Sequence, residues 1–219
     1  MPRTSTAELG GSEAPSLPKV GVSIGTWNVS GWSSHRLAPI SSLGTTLFAV
    51  QETKLSSLFV GKVCSSLKCT GFTLHHGWAV PARRVGGHGA SCGVGVLAGD
   101  GVAVSPLPPE GPAWKRLFAM SRVHGVFVRP RPSLPQGLRV FSIYAPLQRD
   151  ATREAFNLAF IDLVASLDMQ LPTLFMGDFN GTIAPERDYS SGEGPVCPLL
   201  SRLLGPGGPL LDLQLVVSP

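Results

Sequence analysis

The chain has 219 residues, with 18 Lys plus Arg against 14 Asp plus Glu and a formal charge of +4. Gly (26) and Pro (20) fill 46 positions, where the pair typically takes roughly 12% of a chain. Both residues break helices, which excludes a long coiled coil or a helical bundle. No Gly-X-Y period suggests collagen, and the recurring Val, Leu, Ile and Phe runs exclude a wholly disordered chain. The length suits one domain with a sizeable core, or one incomplete larger domain.

Residues 1–18, rich in Ser, Thr, Gly, Pro and Glu, read as a flexible leader, with an ordered domain expected over 19–219. The alternation of Val20, Val22 and Ile24 predicts a first strand through VGVSIGTWNV. TLFAVQE (Thr46 to Glu52), GFTLHH (Gly71 to His76) and CGVGVLA (Cys92 to Ala98) are the next strand candidates, the last glycine-rich enough to need close packing or a bend. LFAMSRVHGVFVRP (Leu117 to Pro130) and GLRVFSIYAP (Gly137 to Pro146) read as a hairpin across a proline-rich turn. A helix is predicted over Asp150 to Leu167: Asp150 caps it, Glu154 lies near its positive end, and Phe156, Phe160, Leu163, Val164 and Leu167 share one face. PTLFMGDFN, from Pro172, is a short strand ending in polar residues. A loop is expected over Arg187 to Pro198, a short helix over Leu199 to Leu204, and another apolar element in LLDLQLVV. Strands separated by helices indicate an α/β arrangement, such as two packed sheets with helices outside.

The first residues lack the apolar core of a signal peptide, and no run of 18 apolar residues exists, so an intracellular protein is expected, nuclear or cytoplasmic. Four scattered cysteines form no zinc pattern and fit reduced thiols. His75 and His76 would face opposite sides of a strand, which disfavours a shared metal. Between Gly111 and Gln148 stand Lys115, Arg116, Arg122, Arg129, Arg131 and Arg139 with no acidic residue. Such a block is either a phosphate-facing surface or a chance bias of an arginine-rich chain.

Polar residues recur where apolar strand candidates end: Asn28, Glu52, Tyr144, Asp178 and Asn180. Adjacent strand ends gather distant residues into one site. Glu52, Asp178 and Asn28 offer the hard oxygen ligands that magnesium favours. The alternative is a set of solvated strand ends.

The ordered strings GTWNV, QETK, IYAP and GDFN resemble the endonuclease/exonuclease/phosphatase superfamily, which includes apurinic endonuclease-like enzymes and the endonuclease domains of non-LTR retrotransposons. The resemblance runs from about Val20 to Val217. It implies a four-layer α/β sandwich, with two facing mixed sheets and outer helices. It also implies a magnesium-dependent phosphodiester hydrolase, with manganese an alternative metal. By motif, Glu52 is implied as the principal metal ligand and Asn28 as a polar group near metal and phosphate. Tyr144 is implied to support the phosphate, Asp178 to orient or deprotonate water, and Asn180 to hold the water and a phosphate oxygen. Gln51 and Lys54 are expected to support Glu52, although Lys54 also reads as a solvated strand-end lysine. The expected partner is DNA, with RNA or a small phosphorylated substrate as alternatives, and Lys115, Arg116, Arg122, Arg129 and Arg131 as backbone contacts. A retrotransposon context implies a downstream reverse transcriptase.

The chain departs from the pattern. No Ser-Asp-His string occurs, so no terminal catalytic His is assigned, and the last histidine is His124. Asp212 matches a leucine-rich segment after GDFN, not the later metal-proximal Asp. Leu147 stands after YAP where many members have Asn. The last strands are therefore expected to be missing, through an incomplete gene model or a remnant gene. Two further functional readings stay open: a non-catalytic nucleic-acid-binding or interaction domain on the same scaffold, and an intracellular phosphatase of the superfamily.

Overall fold

The computed structural model describes residues 22–32, 46–77, 79–81, 90–147, 150–168, 170–182 and 196–211. The expected leader, Val20, most of the loop from Arg187, and Asp212 with the residues after it lie outside the described residues.

The elements run β1 (Ile24–Asn28), β2 (Leu47–Gln51), α1 (Ser57–Cys69), β3 (Phe72–His76), β4 (Val80–Pro81), β5 (Ala90–Ser91) and β6 (Val94–Gly99). They continue with β7 (Val104–Pro106), α2 (Gly111–Ala119), β8 (Val123–Val128), β9 (Leu138–Tyr144), α3 (Ala151–Ser166), β10 (Thr173–Asp178) and α4 (Pro198–Leu204). One sheet has the order β1-β2-β6-β3 and another β10-β9-β8-β7, with β4 and β5 a separate short pair. Both four-stranded sheets are mixed. β1 and β2 are parallel, as are β9 and β10, and the remaining pairings are antiparallel.

Alternation along the strands sorts the side chains into layers. Leu47, Val96, Ala98, Val126, Val128 and Val140 pack between the sheets. On the outer face of the first sheet, Phe48, Val50, Leu74 and Leu97 meet Leu67, Val60 and Val63 of α1. On the outer face of the second, Val123, Phe141 and Ile143 pack with Trp114 and Leu117 of α2, Phe156, Phe160 and Leu163 of α3, and Leu199 and Leu203 of α4. The four layers are thus helix, sheet, sheet, helices, as the sequence resemblance implied.

Three local differences have physical causes. The expected strand from Leu117 begins at Val123, because Leu117 belongs to α2, which Pro112 opens and where Trp114 and Leu117 bury one face. Ser121, in the left-handed region at φ 56°, then turns the chain into β8. Helix α1 has no counterpart in the expectations, although Val60, Val63, Cys64 and Leu67 stand at helical spacing and face the core. Among the described residues the first strand begins at Ile24, so Val22 stands before it rather than in it.

The predicted α3 is present. The Asp150 carboxylate accepts from the backbone N–H of Thr152 and Arg153, at 2.9 and 3.2 Å. The close packing expected of the glycine-rich strand falls at Gly95, where a Cβ would stand 2.7 Å from the His75 carbonyl oxygen. The four cysteines are free thiols. Among the described residues, β10 pairs on one side only, and no helix is long and apolar enough to cross a membrane.

Among the described residues, several buried polar atoms have no hydrogen-bond partner, and those of one histidine bear on stability. His124 on β8 is 6% exposed, and neither ring nitrogen has a hydrogen-bond partner. Phe118 stands beside it, with ring centroids 6.2 Å apart. Burial, then the proximity of His76 and His75, pushes its pKa down to about 4. An unfolded chain protonates this ring near pH 6.5, whereas the folded chain resists until about 4, so stability falls as pH drops through that interval. The shift corresponds to about 3 kcal/mol. Urea unfolding at pH 7.5 and pH 4 should show most of this loss in the wild type and a clearly smaller one in His124→Leu; equal losses would contradict the assignment.

Candidate active site

The four strands that bring functional groups together end at the same edge of the sandwich. Their inner-face positions read Ile24, Thr26, Asn28 on β1; Leu47, Ala49, Gln51 on β2; Val140, Ser142, Tyr144 on β9; and Leu174, Met176, Asp178 on β10. Each set starts apolar in the core and turns polar at the strand's C-terminal end. In register, Asn28 lies opposite Gln51, and Tyr144 opposite Asp178.

One layer below the rim, the sheets are joined by buried hydrogen bonds. Gln51 and Ser142 are 1% and 0% exposed. Gln51 Nε2 donates to Ser142 Oγ at 3.2 Å and Ser142 Oγ donates to the Val50 carbonyl at 3.1 Å, while within the first sheet the exposed Thr26 donates its Oγ1 to Gln51 Oε1 at 3.2 Å. Ser142 and Thr26 were not singled out in the sequence. The signal that reveals them is their place two residues before Tyr144 and Asn28, which puts them on the same face.

At the rim, Asn28 Nδ2 donates to Glu52 Oε1 at 3.2 Å and to Asp178 Oδ2 at 3.0 Å. Tyr144 donates its hydroxyl to Glu52 Oε1 at 2.6 Å, and Lys54 Nζ lies 3.5 Å from Glu52 Oε2. Glu52, Lys54 and Asn180 hold left-handed backbone conformations, at φ 52°, 52° and 49°. Such conformations cost energy and persist where surroundings over-determine them. Here the Thr53 and Lys54 N–H groups bond to the Gly93 and Cys92 carbonyls, extending the pairing with the β6 side past the end of β2. Gly177, at φ 144°, has no room for a side chain, since a Cβ would run into the Ile143 backbone carbonyl. That close approach of β10 to β9 precedes Asp178 directly.

The second carboxylate is also fixed. Asp178 Oδ1 accepts the Asn180 backbone N–H at 2.9 Å, and Asn180 Nδ2 donates to the Ala145 carbonyl at 2.6 Å. Among the described residues, this leaves the Asn180 amide's other hydrogen and its oxygen uncommitted. The Arg122 guanidinium lies over the Tyr144 ring, 4.7 Å from its centroid, and Nη1 donates to the Tyr144 carbonyl at 3.3 Å.

The structure adds detail to two expected roles. The Asn28 Oδ1 accepts from the Ser30 N–H at 3.0 Å while its nitrogen faces the carboxylates. The Tyr144 hydroxyl is directed at Glu52. The basic block does not form one face. Arg122 stands at the site end of β8, whereas Arg129 follows the opposite end, where Val128 pairs with Leu138. Arg131 donates to the Gly101 carbonyl at 3.0 Å. Arg139 is buried and ties β9 to Thr173 and the Leu171 carbonyl. Lys115 and Arg116 are exposed on α2.

Electrostatics set the protonation of the central pair. Burial alone raises the Glu52 carboxyl, but the Tyr144 and Asn28 hydrogen bonds and the Lys54 charge outweigh it, so its pKa lies below the ordinary value. Tyr144 is shifted upward by burial and by Glu52, and stays a protonated donor well above neutral pH. Among the described residues, no group of three or more His, Cys, Asp or Glu side chains gathers around a metal position. Magnesium does not require one: one or two carboxylates, waters and substrate phosphate complete its shell. Glu52 and Asp178 fit that donor set, and Lys54 shows that the outer oxygen of Glu52 is already served by a cation.

No family model matches the sequence, and no curated protein matches it either. Solved structures share its fold. An AP endonuclease from Archaeoglobus fulgidus superposes with a TM-score of 0.57 at 14% identity, over 78% of this chain and 62% of that one. A 3'-5' exonuclease from Neisseria meningitidis superposes with a TM-score of 0.56 at 18% identity, over 75% and 60%. A 3' phosphatase from Neisseria bound to a product DNA hairpin gives a TM-score of 0.53 at 20% identity, over 76% and 60%. The chain therefore spans 60 to 62% of the length of these structures. The likeness to retrotransposon endonucleases rests on the sequence motifs alone.

Removing the Tyr144 hydroxyl takes away a bond that holds Glu52 ionised. A carboxylate with a depressed folded pKa stabilises the fold above its unfolded pKa and loses that contribution as pH falls through the folded one. Tyr144→Phe should therefore raise the Glu52 pKa, read by carbon-13 NMR of the side-chain carboxyl, and advance acid unfolding to higher pH. An unchanged Glu52 titration would contradict this geometry.

Proposed function

We propose that this chain, which shares the fold of AP endonucleases and of a DNA 3' phosphatase, is a metal-dependent phosphodiester hydrolase acting on DNA. The observation that carries the reading is the Asn28 amide, which bridges a carboxylate from each sheet at the rim of the sandwich. Paired carboxylates set among neutral donors are the equipment of phosphoryl transfer with a divalent cation. Glu52 and Asp178 are the residues that would hold magnesium or manganese, and the bound cation supplies positive charge against the phosphoryl oxygens.

The chain's own groups divide the remaining work. Asp178 takes a proton from water as its oxygen bonds to phosphorus, and the bond from phosphorus to the leaving oxygen breaks in line. The leaving oxygen departs as a hydroxyl after taking a proton from solvent. Asn180 donates its uncommitted amide hydrogen where charge grows on the phosphoryl oxygens, and Asn28 keeps both carboxylates oriented. Tyr144 stays protonated and holds Glu52. Arg122 lies behind the Tyr144 ring and adds positive charge at this end of the site.

A second reading is binding without cleavage on the same scaffold, in which the carboxylates bridged by Asn28 hold a cation against phosphate without turnover. A link to a downstream reverse transcriptase remains part of the motif-based proposal.

Duplex DNA, intact and carrying an abasic site, should be cleaved in the presence of magnesium and spared with a chelator. Asp178→Ala should slow cleavage about 10²- to 10⁴-fold, and Asn180→Ala about 10²- to 10³-fold. Glu52→Gln should weaken magnesium binding in calorimetry. Cleavage unchanged in Asp178→Ala would overturn the hydrolase assignment, and binding without cleavage under any divalent metal would establish the second reading.

A further inference from the structure

Arg153, in the first turn of α3, is a charged residue only 9% exposed. Among the described residues no carboxylate forms an ion pair with it. A buried charge held by neutral acceptors alone is costly, and an apolar side chain of similar volume would serve packing as well. Packing alone therefore does not account for a guanidinium here.

The guanidinium is divided among acceptors from three segments. Nη1 donates to the Pro146 carbonyl, in the turn that follows Tyr144. Nη2 donates to the Phe179 carbonyl, between Asp178 and Asn180, at 2.9 Å, and to Cys197 Sγ, just before α4, at 3.1 Å. The Phe179 carbonyl and the Asn180 N–H belong to one peptide unit. Asp178 Oδ1 holds that unit by its N–H at 2.9 Å, and Arg153 holds it by its oxygen. A peptide plane held at both ends over-determines the backbone beside it, here the left-handed Asn180 at φ 49°. The Asn180 side chain is governed in a similar way. Its Nδ2 donates to the Ala145 carbonyl at 2.6 Å, and Arg153 holds the next carbonyl along, that of Pro146. Both anchors of Asn180 thus run through one planar fork of donors, which the single ammonium of a lysine does not reproduce.

We propose that Arg153 is a positioning residue that aims the Asn180 amide, so that its uncommitted hydrogen points where charge grows on the phosphoryl oxygens. It acts through Asn180 and not on the phosphate itself. The catalytic consequence rests on the hydrolase reading; the control of Asn180 does not.

Arg153→Lys keeps the charge and loses the fork. In the full chain it should speed hydrogen exchange at the Asn180 N–H and shift the Asn180 side-chain amide signals in nitrogen-15 NMR, while the strand amides of Phe141 and Ile143 keep their protection. In magnesium-dependent DNA cleavage it should lower kcat about 10²-fold with KM little changed. The same substitution in an Asn180→Ala background should cost far less, because the group it positions is gone. Arg153→Ala enlarges a cavity of about 400 Å³ that Arg153 helps to line, between the start of α3 and the segment before α4. Millimolar guanidinium should enter this space and restore both the Asn180 signals and the rate, where urea at the same concentration does not. Guanidinium weakens folded states, so a residue needed for stability alone would respond in the opposite direction. Unchanged Asn180 signals in Arg153→Lys, an equal loss of protection across the sheet, or an equal rate loss with and without the Asn180 side chain overturns the proposal. If Arg153→Ala does not fold, the lysine variant decides. If the wild-type chain cleaves no DNA, the hydrolase reading falls, and the Asn180 signals alone uphold or overturn the role of Arg153.

Discussion

Two carboxylates from different sheets meet at one amide, and most of the site's geometry follows from that contact. Glu52 and Asp178 repel each other as ions, and the repulsion grows as water is excluded. Asn28 offsets it by donating to both. Tyr144 and Lys54 add a hydroxyl and a charge on the Glu52 side, and the Asn180 N–H does the same for Asp178. The result is a compact anionic pair surrounded by donors. That donor set fits a divalent cation without a larger ligand cluster.

That contact is possible only because the sheets are held in one relative position. Gln51 and Ser142 make the connection one layer down, out of water, where an unsatisfied amide or hydroxyl costs about 1–3 kcal/mol. A slip of one sheet against the other would break this bond and separate Glu52 from Tyr144 together. Below it the interface is plain aliphatic packing, with Leu47, Val96, Val126 and Val140, which is non-directional and does not select a register. The polar layer supplies the selectivity that the apolar layers lack. Among the buried groups without a hydrogen-bond partner, the His124 ring is the one that makes the core sensitive to acid.

Much of the fold was legible from local pattern. Helix α3 carried both its cap and its apolar stripe, and the β8–β9 hairpin was marked by alternating strands around a proline-rich turn. Helix α1 was not read because its apolar residues are interleaved with Leu58 and Phe59, which are exposed, so its stripe is blurred. The end of α2 was misread because Leu117, Phe118 and Met120 continue into the apolar β8, and a short apolar run has no period of its own. Asn28, Glu52, Tyr144 and Asp178 were found as polar residues at strand ends. Thr26 and Ser142, which bond to Gln51 one layer down, were not, since a small hydroxyl in a strand carries no sign of what lies opposite.

The sequence alone determined which residues could form the site, because strand alternation and the order of the four motifs are properties of the chain. It also determined the capped helix and the excess of turn residues. Only the tertiary structure decided how those residues act. It turned the Asn28 amide toward the carboxylates, aimed Tyr144 at Glu52, and split the basic block between the two ends of β8. It also opened a cavity between α3 and the segment before α4. These outcomes depend on contacts between sheets and helices far apart in sequence, where hydrogen-bond direction and strand register, not composition, set what each group can reach.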